Sequence, residues 1–152
     1  MGQITRKKCF PHKEDTHLSI LSFPVSNRFI HDDKAGFVDH LNYAFVYGMI
    51  FDVCIWRGRM IGIAGLPDYA AHVQYLTAIR AQYHDYFHHG RFETLSCESL
   101  PAGIRAAKFV RANGDFIVTF WNTTEKETTV EVFGKSTTVA AKDVAVIEYL
   151  IQ

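Results

Sequence analysis

The chain is 152 residues long, and its 48% hydrophobic and 14% aromatic content is enough for a folded core, which excludes a disordered polymer. Sixteen basic side chains balance sixteen acidic ones. This balance excludes the excess of positive charge that favours binding to a nucleic-acid backbone or an anionic membrane, so we expect neither partner.

The sequence carries no targeting signal. No apolar stretch approaches the roughly 20 residues that span a bilayer, and the amino terminus lacks the basic-then-apolar pattern of a signal peptide. The cysteines Cys9, Cys54 and Cys97 are odd in number and far apart, which argues against a disulfide framework. We therefore expect a cytoplasmic location by default, although a fragment that had lost its signal peptide would look the same.

The first third of the chain is irregular. Residues 18–25 form a brief apolar run that is compatible with one buried strand. Residues 36–52 are predicted to form a helix, because Phe37, Leu41 and Phe45 recur at helical spacing on one side. Gly48 lies inside this predicted helix, where a glycine costs about 1 kcal/mol relative to alanine.

Residues 67–89 are predicted to form one long amphipathic helix. Pro67 suits the first helical position, and Gly90 is placed to end the helix. Large apolar side chains recur at steps of three or four residues, which gives one buried stripe and one hydrated face. The stripe consists of Tyr69, Val73, Leu76, Ile79, Tyr83 and Phe87.

After Gly90 the period changes from helical to alternating, and five or six antiparallel strands are predicted. Residues 116–121 are apolar on both faces, which is typical of a central strand covered on two sides, with Trp121 in the core. Asn113-Gly114 predicts a tight hairpin with positive φ at both positions, and Gly134-Lys135 predicts the next turn.

The β-rich part is small for an independent domain. About sixty residues bury only some 60% of their unfolded surface, so such a domain needs a neighbour. The aromatic stripe of residues 69–87 is the natural neighbour, since large rings dominate the burial at interfaces. An alternative is that these aromatics simply fill one small core.

Several short strings resemble the carboxy-terminal end of glycoside-hydrolase-like bacterial proteins, in which a (β/α)8 barrel is followed by a small antiparallel β-sandwich. They are LNYAFVYG at 41–48, IFDV at 50–53, YHDYF at 83–87, and the closing runs at 118–122 and 145–148. The resemblance spans residues 18–150. It implies an α+β fold: a partial barrel remnant with two helices in residues 1–90, and a β-sandwich in residues 91–152.

A full barrel takes about 250 residues, so the resemblance implies that only the last quarter of one is present. Glycoside hydrolysis needs two carboxyl groups about 5 to 9.5 Å apart, and in barrel glycosidases these usually lie on mid-barrel strands, upstream of Met1. The catalytic residues are therefore not identifiable in this chain. We expect no catalytic activity from the chain alone, and no cofactor or metal.

The resemblance also places the loop after residues 18–25 at the carboxyl end of a barrel strand, where barrel active sites are built. Polar side chains there could bind sugar hydroxyls, because arginine and carboxylate groups form forked hydrogen bonds. The alternative is that an aspartate only caps the next helix. The candidate substrate-binding residues are Asn27, Arg28, Asp32 and Asp33, with His31 beside them.

Three further motifs have both a functional and a structural interpretation. His84 and His88 have the spacing of helical zinc ligands but lack a third ligand, so a surface histidine pair is the simpler interpretation. Asn122 opens a glycosylation sequon that also fits a plain turn. Trp56, beside two arginines, is either a sugar-stacking platform or partly buried surface.

Three functions stay open at this stage. The first is the carboxy-terminal part of a carbohydrate-active hydrolase, whose partner is a separately encoded barrel portion or a second copy of the chain. The second is a stand-alone carbohydrate-binding or protein-interaction β-module, which exposed aromatics on one sheet face would favour. The third is a small metal-dependent enzyme that uses the histidines.

Overall fold

A computed structural model describes residues 25–27, 36–53, 65–95 and 100–151, with the backbone alone at 25–27 and 52–53. Within these residues the protein is a mixed α+β fold with three helices, one four-stranded antiparallel sheet and two two-stranded sheets. The elements are β1 (Val25–Asn27), α1 (Gly36–Val46), β2 (Phe51–Val53), α2 (Pro67–Gln82), α3 (His84–His89), β3 (Arg91–Thr94), β4 (Ile104–Val110), β5 (Phe116–Asn122), β6 (Thr128–Val132), β7 (Lys135–Val139) and β8 (Val144–Tyr149).

The amino-terminal elements form a parallel β-α-β unit. Strands β1 and β2 pair in parallel, with Val25 opposite Phe51, and α1 lies between them in the chain. A parallel pair requires such a crossover, because a tight turn cannot return the chain in the same direction. The predicted strand at residues 18–25 overlaps β1 only at Val25, and its remainder lies outside the described residues.

Helix α1 is shorter than the sequence predicted. It ends at Val46 rather than at residue 52. Gly48 adopts φ +66°, its amide bonds to the Phe45 carbonyl, and the Met49 amide bonds to the Ala44 carbonyl. This pair of bonds is the Schellman termination, which requires a left-handed residue. Gly48 therefore ends the helix instead of weakening its middle, and the chain continues into β2.

The predicted long helix at residues 67–89 is wrong in one respect, since it is two helices, α2 and α3. Tyr83 separates them with φ −110° and ψ 30°, outside helical values. Both Tyr86 and Phe87 of α3 are buried, 4% and 8% exposed, in the cluster on the helical face of the sheet. Proline at the start of α2 and Gly90 after α3 are confirmed.

The main sheet has the strand order β3-β4-β5-β8, with every neighbouring pair antiparallel. The expected central position of β5 is confirmed, because it pairs with β4 on one side and β8 on the other. Helices cover one face of this sheet and the hairpin β6–β7 covers the other. The described sheets thus form a small sandwich of unequal layers, backed by helices.

Both predicted turns differ from expectation in detail. At the β4–β5 turn only Gly114 has positive φ, and the Gly114 amide bonds to the Arg111 carbonyl. The loop is therefore longer than the expected two-residue turn, since a type I turn is followed by a left-handed glycine. The β6–β7 turn is Phe133-Gly134, with φ 49° and 76°, and Lys135 already belongs to β7.

Two hydrophobic clusters hold the layers together. The cluster on the helical face joins Leu41, Phe45 and Leu76 to Phe109 and Trp121, so the aromatic stripe of α2 and α3 packs against the sheet as expected. The second cluster lies between the main sheet and the hairpin β6–β7. Trp121 is 8% exposed, which confirms that its ring is buried, but it lies in the core between helices and sheet rather than between the two sheets. The proposed division of the chain at Gly90 stays a prediction.

Candidate functional site

The predicted sugar-binding loop is largely beyond the part of the chain that the structure describes. Arg28, His31, Asp32 and Asp33 lie outside the described residues, and Asn27 is the last residue of β1, with only its backbone described. The proposed binding roles of these side chains therefore stay predictions.

The histidines of α3 lie on its exposed face. The rings of His84 and His88 stack 4.2 Å apart on an exposed helix face. Within the described residues, no group of three His, Cys, Asp or Glu side chains is arranged to hold a metal ion. His84 instead lies 3.5 Å from the neighbouring Asp85 carboxylate.

The sequon at Asn122 is a structural turn. Asn122 is fully buried, and its amide donates to the carbonyls of Lys126 at 2.7 Å and Val139 at 3.1 Å. Its side-chain oxygen accepts the Thr124 amide at 2.9 Å. Because the amide nitrogen is buried and engaged, it is not presented for glycosylation. Trp56, the other candidate for sugar stacking, lies outside the described residues.

An exposed aromatic surface lies where α1 meets the main sheet. Tyr43 is 44% exposed, and its ring centroid lies 4.7 Å from that of Tyr47, one helical turn later. The row of rings continues from Tyr47 to Phe92 of β3, and the centroids of these two rings lie 6.2 Å apart. Tyr43 also meets the buried Trp121 ring edge to face at 6.4 Å. We call Tyr43, Tyr47, Arg105 and Trp121 the α1–sheet site.

Arg105 adds a positive charge to the α1–sheet site. It is the partner of Trp121 across β4 and β5, so both project from the same face of the sheet. Its side chain is exposed and makes no ion pair with any carboxylate in the described part of the chain. A guanidinium without a counter-ion is ready to bind an anion in forked geometry.

The protonation state of Tyr47 is consistent with this arrangement. Burial raises the pKa of Tyr47, the neighbouring Tyr43 phenol raises it further, and Arg105 lowers it. The phenol therefore remains a neutral hydrogen-bond donor near pH 7.

Trp121 contributes an unusual feature below Tyr43. Its indole Nε1 is buried and has no hydrogen-bond partner within the described structure. A buried donor without an acceptor costs about 1 to 3 kcal/mol, and such groups are uncommon in folded proteins. The α1–sheet site thus combines the exposed Tyr43 ring with an arginine and a buried indole N–H that have no partner within the described residues.

A second aromatic group, at the β6–β7 turn, is less suited to ligand stacking. The rings of Phe116 and Tyr149 stack 4.5 Å apart, and Phe133 meets both edge to face. Lys108 lies 4.3 Å from the Phe116 ring centre, and Lys135 lies 4.8 Å from that of Tyr149. Lys108 also lies 5.7 Å from the ring centre of Phe133, which is 56% exposed, so each of these three rings has an ammonium group close to it.

A polar junction connects the helices to the turn before β8. The buried Asn42 amide donates to the Lys142 carbonyl at 2.7 Å, and its side-chain oxygen lies 2.8 Å from His72 Nε2. The Tyr75 hydroxyl donates to Asp143 at 3.2 Å. Burial and the Asp143 charge raise the pKa of Tyr75 to about 12. These contacts fix α1 and α2 on the sheet, so we assign the junction a structural role.

The sequence reasoning missed the α1–sheet site. Tyr43 lies off the buried stripe of α1, and that position is the one signal that could have marked it. The position of Arg105 opposite Trp121 depends on the strand register of β4 and β5, which the sequence pattern does not specify.

Comparisons with known proteins give no family for this chain: no protein-family model matches it, and neither a curated protein nor a solved structure is significantly similar. Of the helices that the structure describes, none combines the length and the apolar character needed to cross a membrane.

Proposed function

We propose that the chain is the carboxy-terminal part of a carbohydrate-active, glycoside-hydrolase-like protein, in which β1 to α2 are the last two β-α units of a (β/α)8 barrel. The observation that carries the proposal is the order strand, helix, strand, helix with parallel pairing of β1 and β2. Repeated β-α units with parallel strands are the building principle of that barrel. The antiparallel sheet after α3 occupies the position of the terminal β-sandwich.

The same proposal predicts no catalysis by the chain alone. Hydrolysis needs a pair of carboxyl groups across the scissile bond, and the resemblance assigns the strands that carry them to a portion upstream of Met1. The purified chain should therefore give no turnover on a panel of aryl glycosides. Hydrolysis that survives repurification and is lost in Asp32→Asn or Asp33→Asn would contradict this expectation.

The native size of the protein tests the fragment proposal directly. An antibody raised against residues 91–151 should detect, in extracts of the source cells, either a polypeptide much larger than 17.3 kDa or a 17.3 kDa chain bound to a second protein. The recombinant chain serves as the size marker. A free monomer of 17.3 kDa would refute the fragment proposal.

A second candidate function is a stand-alone carbohydrate-binding or protein-interaction module. The exposed Tyr43, together with Arg105, which has no ion pair in the described part of the chain, favours it, because aromatic and arginine side chains are enriched at binding surfaces. A free native monomer that retains an oligosaccharide on affinity electrophoresis would place this function first.

A further inference from the structure

The α1–sheet site has the chemistry of a subsite for acidic sugars. We propose that Tyr43, Tyr47 and Arg105 bind a glycan that bears carboxylate groups, such as a uronic-acid oligosaccharide. The inference deepens the proposed carbohydrate function and rests on it, but it concerns the ligand and not the missing barrel.

The exposed Tyr43 ring supplies the apolar part of the site. A sugar ring has a face lined with C–H groups that packs against an aromatic side chain, and tyrosine adds a hydroxyl that hydrogen-bonds at the rim. Tyr43 is held in place by Tyr47 on one side and Trp121 below. Little side-chain entropy is therefore lost when a ligand settles on it.

Arg105 makes the site selective for acidic over neutral sugars. Its guanidinium is exposed, and it has no ion pair in the described part of the chain. On the same sheet face, the carboxylate of Glu148 lies towards the far end of β8, where it accepts the Tyr86 hydroxyl at 2.7 Å. A planar carboxylate matches the guanidinium fork with two parallel hydrogen bonds, which a sugar hydroxyl cannot reproduce.

The buried Trp121 indole is an independent sign of a binding site. Its N–H has no acceptor in the described structure although it is enclosed below Tyr43. A ligand oxygen that reached this N–H would supply the acceptor, and the desolvation cost of the donor would then be relieved.

Isothermal titration of the full chain with uronic-acid oligosaccharides of galacturonate, alginate and hyaluronan tests the proposal. Methyl esters of the same oligosaccharides are the matched ligands without charge. We expect at least one acid form to bind, and its ester to bind about tenfold or more weakly, because the charge-assisted pair is lost. Arg105→Gln should weaken binding of the acid by a similar factor and should remove the difference between acid and ester.

Two further variants test whether any arginine on the sheet has the same effect and whether the flat ring of Tyr43 is needed. Arg91→Gln removes an exposed arginine from β3, on the other face of the sheet, and should leave affinity unchanged. Tyr43→Leu keeps an apolar contact with Trp121 but removes the flat ring, and should weaken binding of acid and ester alike. Circular dichroism confirms that each variant is folded.

Four outcomes of these titrations would overturn the whole inference, and a fifth would overturn its acidic ligand. They are absence of binding to every acidic glycan, equal affinity for acid and ester, an Arg91→Gln effect as large as that of Arg105→Gln, and equal binding of poly-glutamate, which would indicate a site for acidic peptides. Binding of neutral sugars that needs Tyr43 but not Arg105 would refute the acidic ligand while leaving the carbohydrate function intact. The fragment proposal stands or falls separately on the native size of the protein.

Discussion

Replacing Trp121 with alanine should destabilise the whole molecule, because this ring joins the helices to the sheet. Trp121 is 8% exposed and packs in the same cluster as Leu41, Phe45 and Leu76. Truncating a buried aromatic to alanine costs about 3 to 5 kcal/mol through lost transfer energy and the cavity left behind. For a chain of this length, that corresponds to a fall in melting temperature of about 6 to 20 °C.

Trp121→Phe separates packing from the unmet indole donor. Phenylalanine fills less of the space, which costs stability, but it removes a buried N–H that has no partner. Removing this N–H recovers a desolvation penalty of about 1 to 3 kcal/mol. The loss of packing is of similar size. The free energy of unfolding should therefore change by no more than about 1 kcal/mol.

Urea unfolding followed by circular dichroism measures both Trp121 variants, with Tyr43→Leu as the exposed-ring control. A Trp121→Ala variant that unfolds at the same urea concentration as the parent would refute the core assignment. A Trp121→Phe variant as unstable as Trp121→Ala would refute the argument that the unmet donor is costly.

Three other perturbations follow from the packing. Burial lowers the pKa of His72 below its ordinary value of 6.5, although the Asp143 charge raises it, so the folded state prefers the neutral ring. The free energy of unfolding should therefore be highest above about pH 6.5 and should fall as the pH drops below that value. His72→Gln should flatten this pH dependence in urea titrations at pH 7 and pH 5. Gly48→Ala would place a Cβ 2.7 Å from an atom of the Phe109 ring at a residue with left-handed backbone, and should cost about 2 to 5 kcal/mol of stability. Gly134→Ala has open space around it and should cost only the backbone strain of about 1 to 2 kcal/mol. Equal melting temperatures of the two variants would contradict this. Burial lowers the pKa of Arg80 to about 10, and no carboxylate in the described structure pairs with it. Arg80→Lys keeps the buried charge but loses the flat guanidinium that stacks on the Phe51 ring. Arg80→Met should therefore have a higher melting temperature than Arg80→Lys.

The predictions that depended on local period agree best with the structure. The change from helical to alternating period after Gly90 identified the β-rich part, and the doubly apolar run at residues 116–121 identified the central strand β5. Local patterns work here because side-chain direction repeats every 3.6 residues in a helix and every two residues in a strand. The buried stripe of α2 followed from the same argument.

The predictions that failed concern places where the chain changes direction. Residues 36–52 read as one helix because the apolar spacing continues past Val46, but the Schellman bonds at Gly48 stop it and β2 begins at Phe51. Tyr83 interrupts the second helix because burial of Tyr86 and Phe87 against the sheet outweighs the continuous spacing. Helix propensity is a weak prior that tertiary contacts override.

By itself, the sequence determined the mixed α+β class, the start of α2 at Pro67, the β-rich part after Gly90 and the buried faces, since each depends on residues close together in the chain. Tertiary structure alone decided that β1 and β2 pair in parallel, that the helices and the hairpin β6–β7 cover opposite faces of one sheet, and that Arg105 lies opposite Trp121 on the helical face. These arrangements join residues separated by tens of positions, and no period in the sequence records such distances. The α1–sheet site exists only through them, because its ring comes from a helix and its charge from a strand.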